Sequence, residues 1–118
     1  MAKHLTSHWL ASLAALTAVA CASPVTSTET TGAHSETANG RVLVQTQCAK
    51  CHAVGRNDRS RHTDAPELRL LSRSYAVAGL EESLAEGMIV GHPDMPEFKF
   101  GPADVAAIIA YLESIQEG

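Results

Sequence analysis

The sequence predicts an all-α domain, and three observations predict it. Apolar residues recur at helical spacing in four separate segments of residues 39–118. No segment alternates apolar and polar residues over a useful length, so no sheet beyond incidental pairs is expected. The third observation is the pentapeptide Cys48-Ala49-Lys50-Cys51-His52, whose two thiols share a face only on a helical turn.

The elements follow in chain order. Residues 1–21 have a weakly basic start at Lys3, an apolar run from Leu10 to Ala20, and small residues. That run is too short to cross a membrane and suits the core of a signal peptide. Cys21 allows two readings. Ala18-Val19-Ala20 is a small-x-small cleavage site for a soluble periplasmic product. The same residues resemble a loose lipobox, in which a lipidated Cys21 would tether the protein to a membrane. Alanine stands where the lipobox has leucine, whereas an odd cysteine in a secreted chain calls for an explanation. Cleavage at Ala22 would discard Cys21. Residues 22–38 are dominated by Thr, Ser and Ala, form no core, and are expected to be a disordered, flexible linker.

Residues 39–118 then form one domain. From Gly40, the positions Leu43, Val44, Gln47, Cys48 and Cys51 trace one stripe of a first helix. Asp64, Ala65 and Pro66 read as the start of a second, continued by Glu67, Leu68, Leu70 and Leu71. Val77, Leu80 and Leu84 mark a third, closed by Gly87; Met88 continues its stripe and reads as packing. Gly101-Pro102 opens the last, with Val105, Ile108, Ile109, Leu112 and Ile115 on its apolar face and Tyr111 at its border.

The pentapeptide carries the chemistry. Two cysteines at i and i+3 with a histidine directly after the second are the attachment signature of a c-type haem. Cys48 and Cys51 would form thioethers to the two vinyl groups of one haem, and His52 would serve as an axial iron ligand. Structural zinc needs four ligands, and these residues supply three, with only His62 or His92 to complete the set. A thioredoxin-like Cys-x-x-Cys would follow a strand, and no strand pattern precedes Cys48. A chance pair of buried thiols leaves His52 unexplained. Composition agrees: about 80 residues with four aromatics, Tyr75, Phe98, Phe100 and Tyr111, bury little apolar surface, and a haem would supply bulk to the core.

The second informative segment is Gly91-His92-Pro93-Asp94-Met95-Pro96-Glu97-Phe98. Its two prolines forbid a helix and stiffen the loop. A rigid loop presenting a methionine suits the sixth position of a haem iron, where a soft, neutral thioether favours Fe(II) and raises the potential. Met95 as a core filler and His92 as a rival ligand are the competing readings.

On these residues the chain resembles the class I cytochromes c, small monohaem electron carriers, over residues 39–118. Cys48, Cys51 and His52 match the family's attachment motif, and Met95, before Pro96, matches its distal-ligand loop. Gly40 and Val44 sit where the family crosses its first and last helices, with Tyr111 and Leu112 opposite. The resemblance implies a compact class I cytochrome c-like fold of about four short helices around one covalently bound haem c. It also implies that the Pro66 carbonyl, in Ala65-Pro66-Glu67-Leu68, accepts the Nδ1–H of His52. The sequence departs from the family in having Val44 where an aromatic is often found. It also has few residues between His52 and Met95, and no tryptophan in the domain to bond a propionate.

Removing residues 1–21 leaves 8 basic and 13 acidic residues, a net charge of −5, and nothing points to nucleic acid. The basic cluster Arg56, Arg59, Arg61 and His62 reads either as a docking patch for an acidic redox partner or as a solvated loop balancing Asp58 and Asp64. The expected role is a one-electron carrier between redox proteins, in the periplasm or at the outer face of a membrane, and not an enzyme. The alternatives are a haem sensor or ligand-binding protein with a labile sixth site, and a haem subunit of a larger periplasmic dehydrogenase or oxidase.

Overall fold

A computed structural model describes residues 28–87 and 93–118. The chain runs through α1 (Thr28–Gln47), a 3₁₀ segment (Leu68–Arg73), and a second 3₁₀ turn (Val77–Leu80) that passes directly into α2 (Glu81–Glu86). It ends in α3 (Pro102–Ile115). Among the described residues there is no strand; the fold is all-α, as the periodicity implies, and of the cytochrome c-like kind that the family resemblance implies.

The core is built around α3. Its Val105, Ile108, Ile109, Tyr111, Leu112 and Ile115 pack with Val44 of α1, Val54, Leu68, Leu71 and Val77. Proline at the first position of α3 fits, because that residue has no intrahelical use for an N–H. Tyr111 is buried with its hydroxyl donating to the Val54 carbonyl at 2.8 Å, which gives the ring's polar end the partner burial demands.

The crossing of α1 on α3 depends on Gly40. A Cβ there would lie 1.8 Å from the Ala107 carbonyl oxygen and 2.9 Å from Tyr111 Cβ, so only glycine lets the backbones approach this closely. Val44, one turn on, is 1 % exposed and fills the space beneath. Gly87 ends α2 in the left-handed region at φ 80° and donates to the Ser83 carbonyl at 3.0 Å, a helix stop that other residues make with strain.

Three expectations need correction. The segment expected as a helix from Asp64–Pro66 begins at Leu68 and is 3₁₀. Glu67 is extended there because tertiary bonds take the preceding backbone: Leu68 N–H donates to Ala53 O at 3.0 Å, and Pro66 O accepts from His52. Leu68 and Leu71, three apart, then both face the core, as a 3₁₀ turn allows. The third helix is divided into a 3₁₀ turn and α2. Finally, the stretch read as a linker is helical from Thr28. No proline interrupts residues 28–47, so a helix anchored at Gly40–Cys48 extends toward the N-terminus by one hydrogen bond per residue. Residues 31–36 of this extension are exposed. Residues 1–27, including the expected signal and Cys21, and residues 88–92, including Met88 and His92, lie outside the described residues.

Gly40→Ala should destabilise the folded protein by at least about 2 kcal/mol, a loss of roughly 10 °C in melting temperature for a domain of this size. A backbone carbonyl cannot rotate out of the way. Gly79→Ala, whose Cβ would meet nothing within 4 Å, should change the melting temperature little in the same circular-dichroism measurement.

Candidate functional site

The cysteine turn grows out of the end of α1. Cys48 N–H donates to Val44 O at 2.9 Å, and the amides of Cys51 and His52 both donate to Cys48 O, at 3.1 and 3.0 Å. This turn continues the helical path for one step, which puts both cysteines and His52 on the same wall of an open cleft. Cys48 and Cys51 are free thiols and half-buried. Burial pushes the Cys48 thiol up to about 11, so the free chain presents a neutral thiol. The low-pKa thiolate of a redox-active Cys-x-x-Cys is not found at this position.

His52 is oriented by its backbone neighbours. Its Nδ1 lies 2.8 Å from the Pro66 carbonyl oxygen. A carbonyl only accepts, so Nδ1 carries a proton, which leaves Nε2 as the nitrogen that could bind a metal. The bond also makes the imidazole a stronger donor. Beside it, the Leu68–Ala53 bond holds the two chain segments in register.

The loop that follows the cysteine turn is fixed by its own side chains. Asp58 folds back on it: its Oδ2 accepts from Val54 N–H at 2.9 Å, and its two carboxylate oxygens accept from Gly55 N–H at 2.9 and 3.1 Å. Slight desolvation works against ionisation of Asp58, but the Val54 and Gly55 amides and the nearby Arg69 charge outweigh it and hold the carboxyl below its ordinary value. Ser60 Oγ accepts from Ala53 N–H at 2.9 Å. Sequence reasoning gave Asp58 only a surface role; the signal that could have found it is an Asp three residues after a glycine, the spacing of a side chain capping its own turn. Arg69 and Gln116 were also missed. Arg69 donates to the Asp58 carbonyl at 2.8 Å and pairs with Glu67 and Glu117. Gln116 bonds Leu68 O at 2.9 Å and Ser72 N–H at 2.8 Å, tying the chain end to the segment that faces His52.

The opposite wall is Pro93, Asp94, Met95, Pro96 and Phe98. Met95 is half-buried, and Phe98 stacks on Phe100 with ring centres 5.8 Å apart. The cleft between the walls opens to solvent and encloses about 160 Å³. The structure thus brings four of the five expected site residues, Cys48, Cys51, His52 and Met95, to one cleft, and sets the fifth, Pro66, behind His52.

Two thiols, an imidazole held at Nδ1 and a thioether, set in mostly apolar walls, are a donor set that fits a covalently held haem and no hard cation. With the helical fold, this defines a c-type cytochrome domain, whose role is electron transfer. Residues 35–112, about two-thirds of the chain, match the family model of cytochrome c oxidase, cbb3-type, subunit III, and the chain belongs to that family. No curated relative and no solved structure matches it. Among the described residues, no helix is long and apolar enough to cross a membrane.

Because Asp58 has a lowered folded pKa, its contribution is fully present above the unfolded value near 3.9 and is lost as pH falls through the folded value. Asp58→Ala should cost about 1 kcal/mol at neutral pH by removing the acceptor for both amides. Melting curves of wild type and variant should converge as the pH is lowered below about 4.

Proposed function

We propose that the protein carries single electrons, holding one haem c through Cys48 and Cys51 with His52 and Met95 as the axial iron ligands. The observation that carries this reading is the shared cleft, with His52 on one wall, fixed by Pro66, and Met95 on the other between two prolines. When bound, the haem supplies the one-electron couple between Fe(III) and Fe(II). The chain supplies the rest. The two thioether links prevent loss of the group. Pro66 sets the tautomer and basicity of His52. Pro93 and Pro96 restrict the backbone of the turn that carries Met95, so the thioether would need little movement between oxidation states. With His52 and Met95 both on the iron there would be no place for a substrate, as a carrier rather than a ligand sensor requires.

The signal-like residues 1–21 support a location outside the cytoplasm, in the periplasm or at a membrane's outer face. A lipidated Cys21 would make the protein a tethered carrier. The family's description as an oxidase subunit favours a second reading, in which the same domain passes electrons to a terminal oxidase.

The test is the absorption spectrum of reduced holoprotein before and after carbon monoxide. The wild type should stay low-spin and unmoved. Met95→Ala should bind carbon monoxide stoichiometrically and lose on the order of 0.1 V in potential, a fraction of the roughly 0.8 V that axial ligands span. A wild-type spectrum that shifts at once would replace the carrier with a sensor. For the tether, intact-mass measurement of membrane-purified protein should show acyl additions on a chain beginning at Cys21; their absence would remove the lipid.

A further inference from the structure

Arg69 sits where separate stretches of the chain converge behind His52. It is the second residue of the 3₁₀ segment Leu68–Arg73, in the stretch that follows Pro66. Its side chain is 15 % exposed, and every nitrogen of the guanidinium has a partner. Nη1 donates to the Asp58 carbonyl at 2.8 Å, Nη2 donates to the Glu67 carboxylate, and Nε pairs with Glu117 at 3.3 Å. The Arg69 carbonyl accepts from Glu117 N–H at 2.9 Å, so its backbone is held as well. A planar fork of donors can serve three acceptors at fixed angles, and an ammonium group cannot.

These bonds bear on one peptide group. The carbonyl that accepts from His52 Nδ1 belongs to the Pro66–Glu67 peptide, which is planar and turns as a unit. The proline ring fixes φ on one side of it, and the Leu68–Ala53 bond of 3.0 Å holds the chain on the other. What remains free is rotation at Glu67, whose backbone is extended at φ −70° and ψ 120°. The Glu67 side chain is 24 % exposed, and Arg69 is its one ion-pair partner among the described residues. Without the guanidinium, that carboxylate would be largely buried with no cation and would turn toward water. The peptide would turn with it. The His52–Pro66 bond is itself exposed, so water competes for both partners and enforced geometry is what favours the bond.

We infer that Arg69 is a positioning residue for the axial histidine: its fork holds Glu67, and Glu67 keeps the Pro66 carbonyl aimed at His52 Nδ1, which sets the reduction potential. The inference rests on the haem-ligand reading of His52 above. A well-aimed carbonyl makes the imidazole a stronger donor, which favours Fe(III). Slackening the aim therefore raises the potential. Loss of the Arg69 charge acting through space alone does the opposite, because removing a cation also favours Fe(III). The two accounts differ in sign.

The test compares holoprotein of the wild type, Arg69→Met and Arg69→Lys. Two quantities are read: the midpoint potential, by redox titration, and the solvent exchange rate of the His52 Nδ1 proton, by NMR of the reduced, diamagnetic form. Arg69→Met should raise the potential and speed the exchange at least about tenfold. Arg69→Lys keeps the charge without the fork. Its exchange rate should fall between those of wild type and Arg69→Met, with a potential above wild type. An Arg69→Met potential that falls or stays the same, or an exchange rate that stays the same, overturns the inference. If Arg69→Met does not retain a folded, low-spin form, Arg69→Lys decides by the same two readings in the same directions. A wild type without a low-spin spectrum overturns the haem-ligand reading, and the role of Arg69 with it. A low-spin wild type whose variants are unmoved overturns the role of Arg69 alone.

Discussion

The close approach of α1 to α3 at Gly40 is the constraint on which the site depends. With no Cβ at that position, the backbone of α1 rests on the Ala107 carbonyl, and the helix has one place to lie. Cys48 follows eight residues later, about 12 Å along the axis, so the crossing sets where the cysteine turn emerges. The turn is then anchored a second time on the same helix. Tyr111, four residues after Ala107, reaches past the motif to bond Val54 O. The pentapeptide is strung between two fixed points of α3, and its thiols and imidazole have little freedom to drift apart.

The chain end reinforces the far side of His52. Pro66 sits just before the 3₁₀ segment, and that segment is held from below by Gln116 and Glu117, whose groups reach Leu68 O, Ser72 N–H and Arg69 O. Arg69 joins the same network to the Asp58 carbonyl. The orientation of one imidazole therefore draws on bonds from three separate stretches of sequence. None of the groups is deeply charged and buried, so the network carries little desolvation penalty.

What the sequence made legible divides by range of interaction. The α3 stripe, the Gly87 stop and the cysteine turn are local: period, cap and spacing are each contained in a few adjacent residues, and each was readable. Gly40 and Val44 were found through family resemblance, because nothing local says that a glycine in a helix faces another backbone. The 3₁₀ form of Leu68–Arg73 was not readable, since it follows from bonds to residues 52 and 53 that propensity does not encode. The start of α1 was misplaced for the opposite reason. Its Thr- and Ser-rich composition is a poor helix former, and only continuity with the packed half accounts for its conformation. Asp58, Arg69 and Gln116 look like ordinary surface residues until the fold brings their partners.

The two walls of the cleft are held by different physics. The cysteine and histidine wall is tied to the core by backbone bonds of 2.8 to 3.1 Å. The methionine wall meets the rest of the domain through the Phe100–Leu84 bond, the Phe98–Phe100 stack and the His62–Asp94 pair. That pair is exposed and 3.7 Å long, a contact worth at most about 1 kcal/mol. The stiffness of the methionine wall comes instead from Pro93 and Pro96, which restrict the backbone before any tertiary contact forms. A hydrogen-bonded wall and a conformationally stiffened one make a sensible division for an electron carrier. The first would keep the proposed haem and His52 in register. The second would let the Met95 thioether keep one position without a dense network around it. A ligand sensor would need the reverse, a methionine wall free to withdraw, and two flanking prolines work against that.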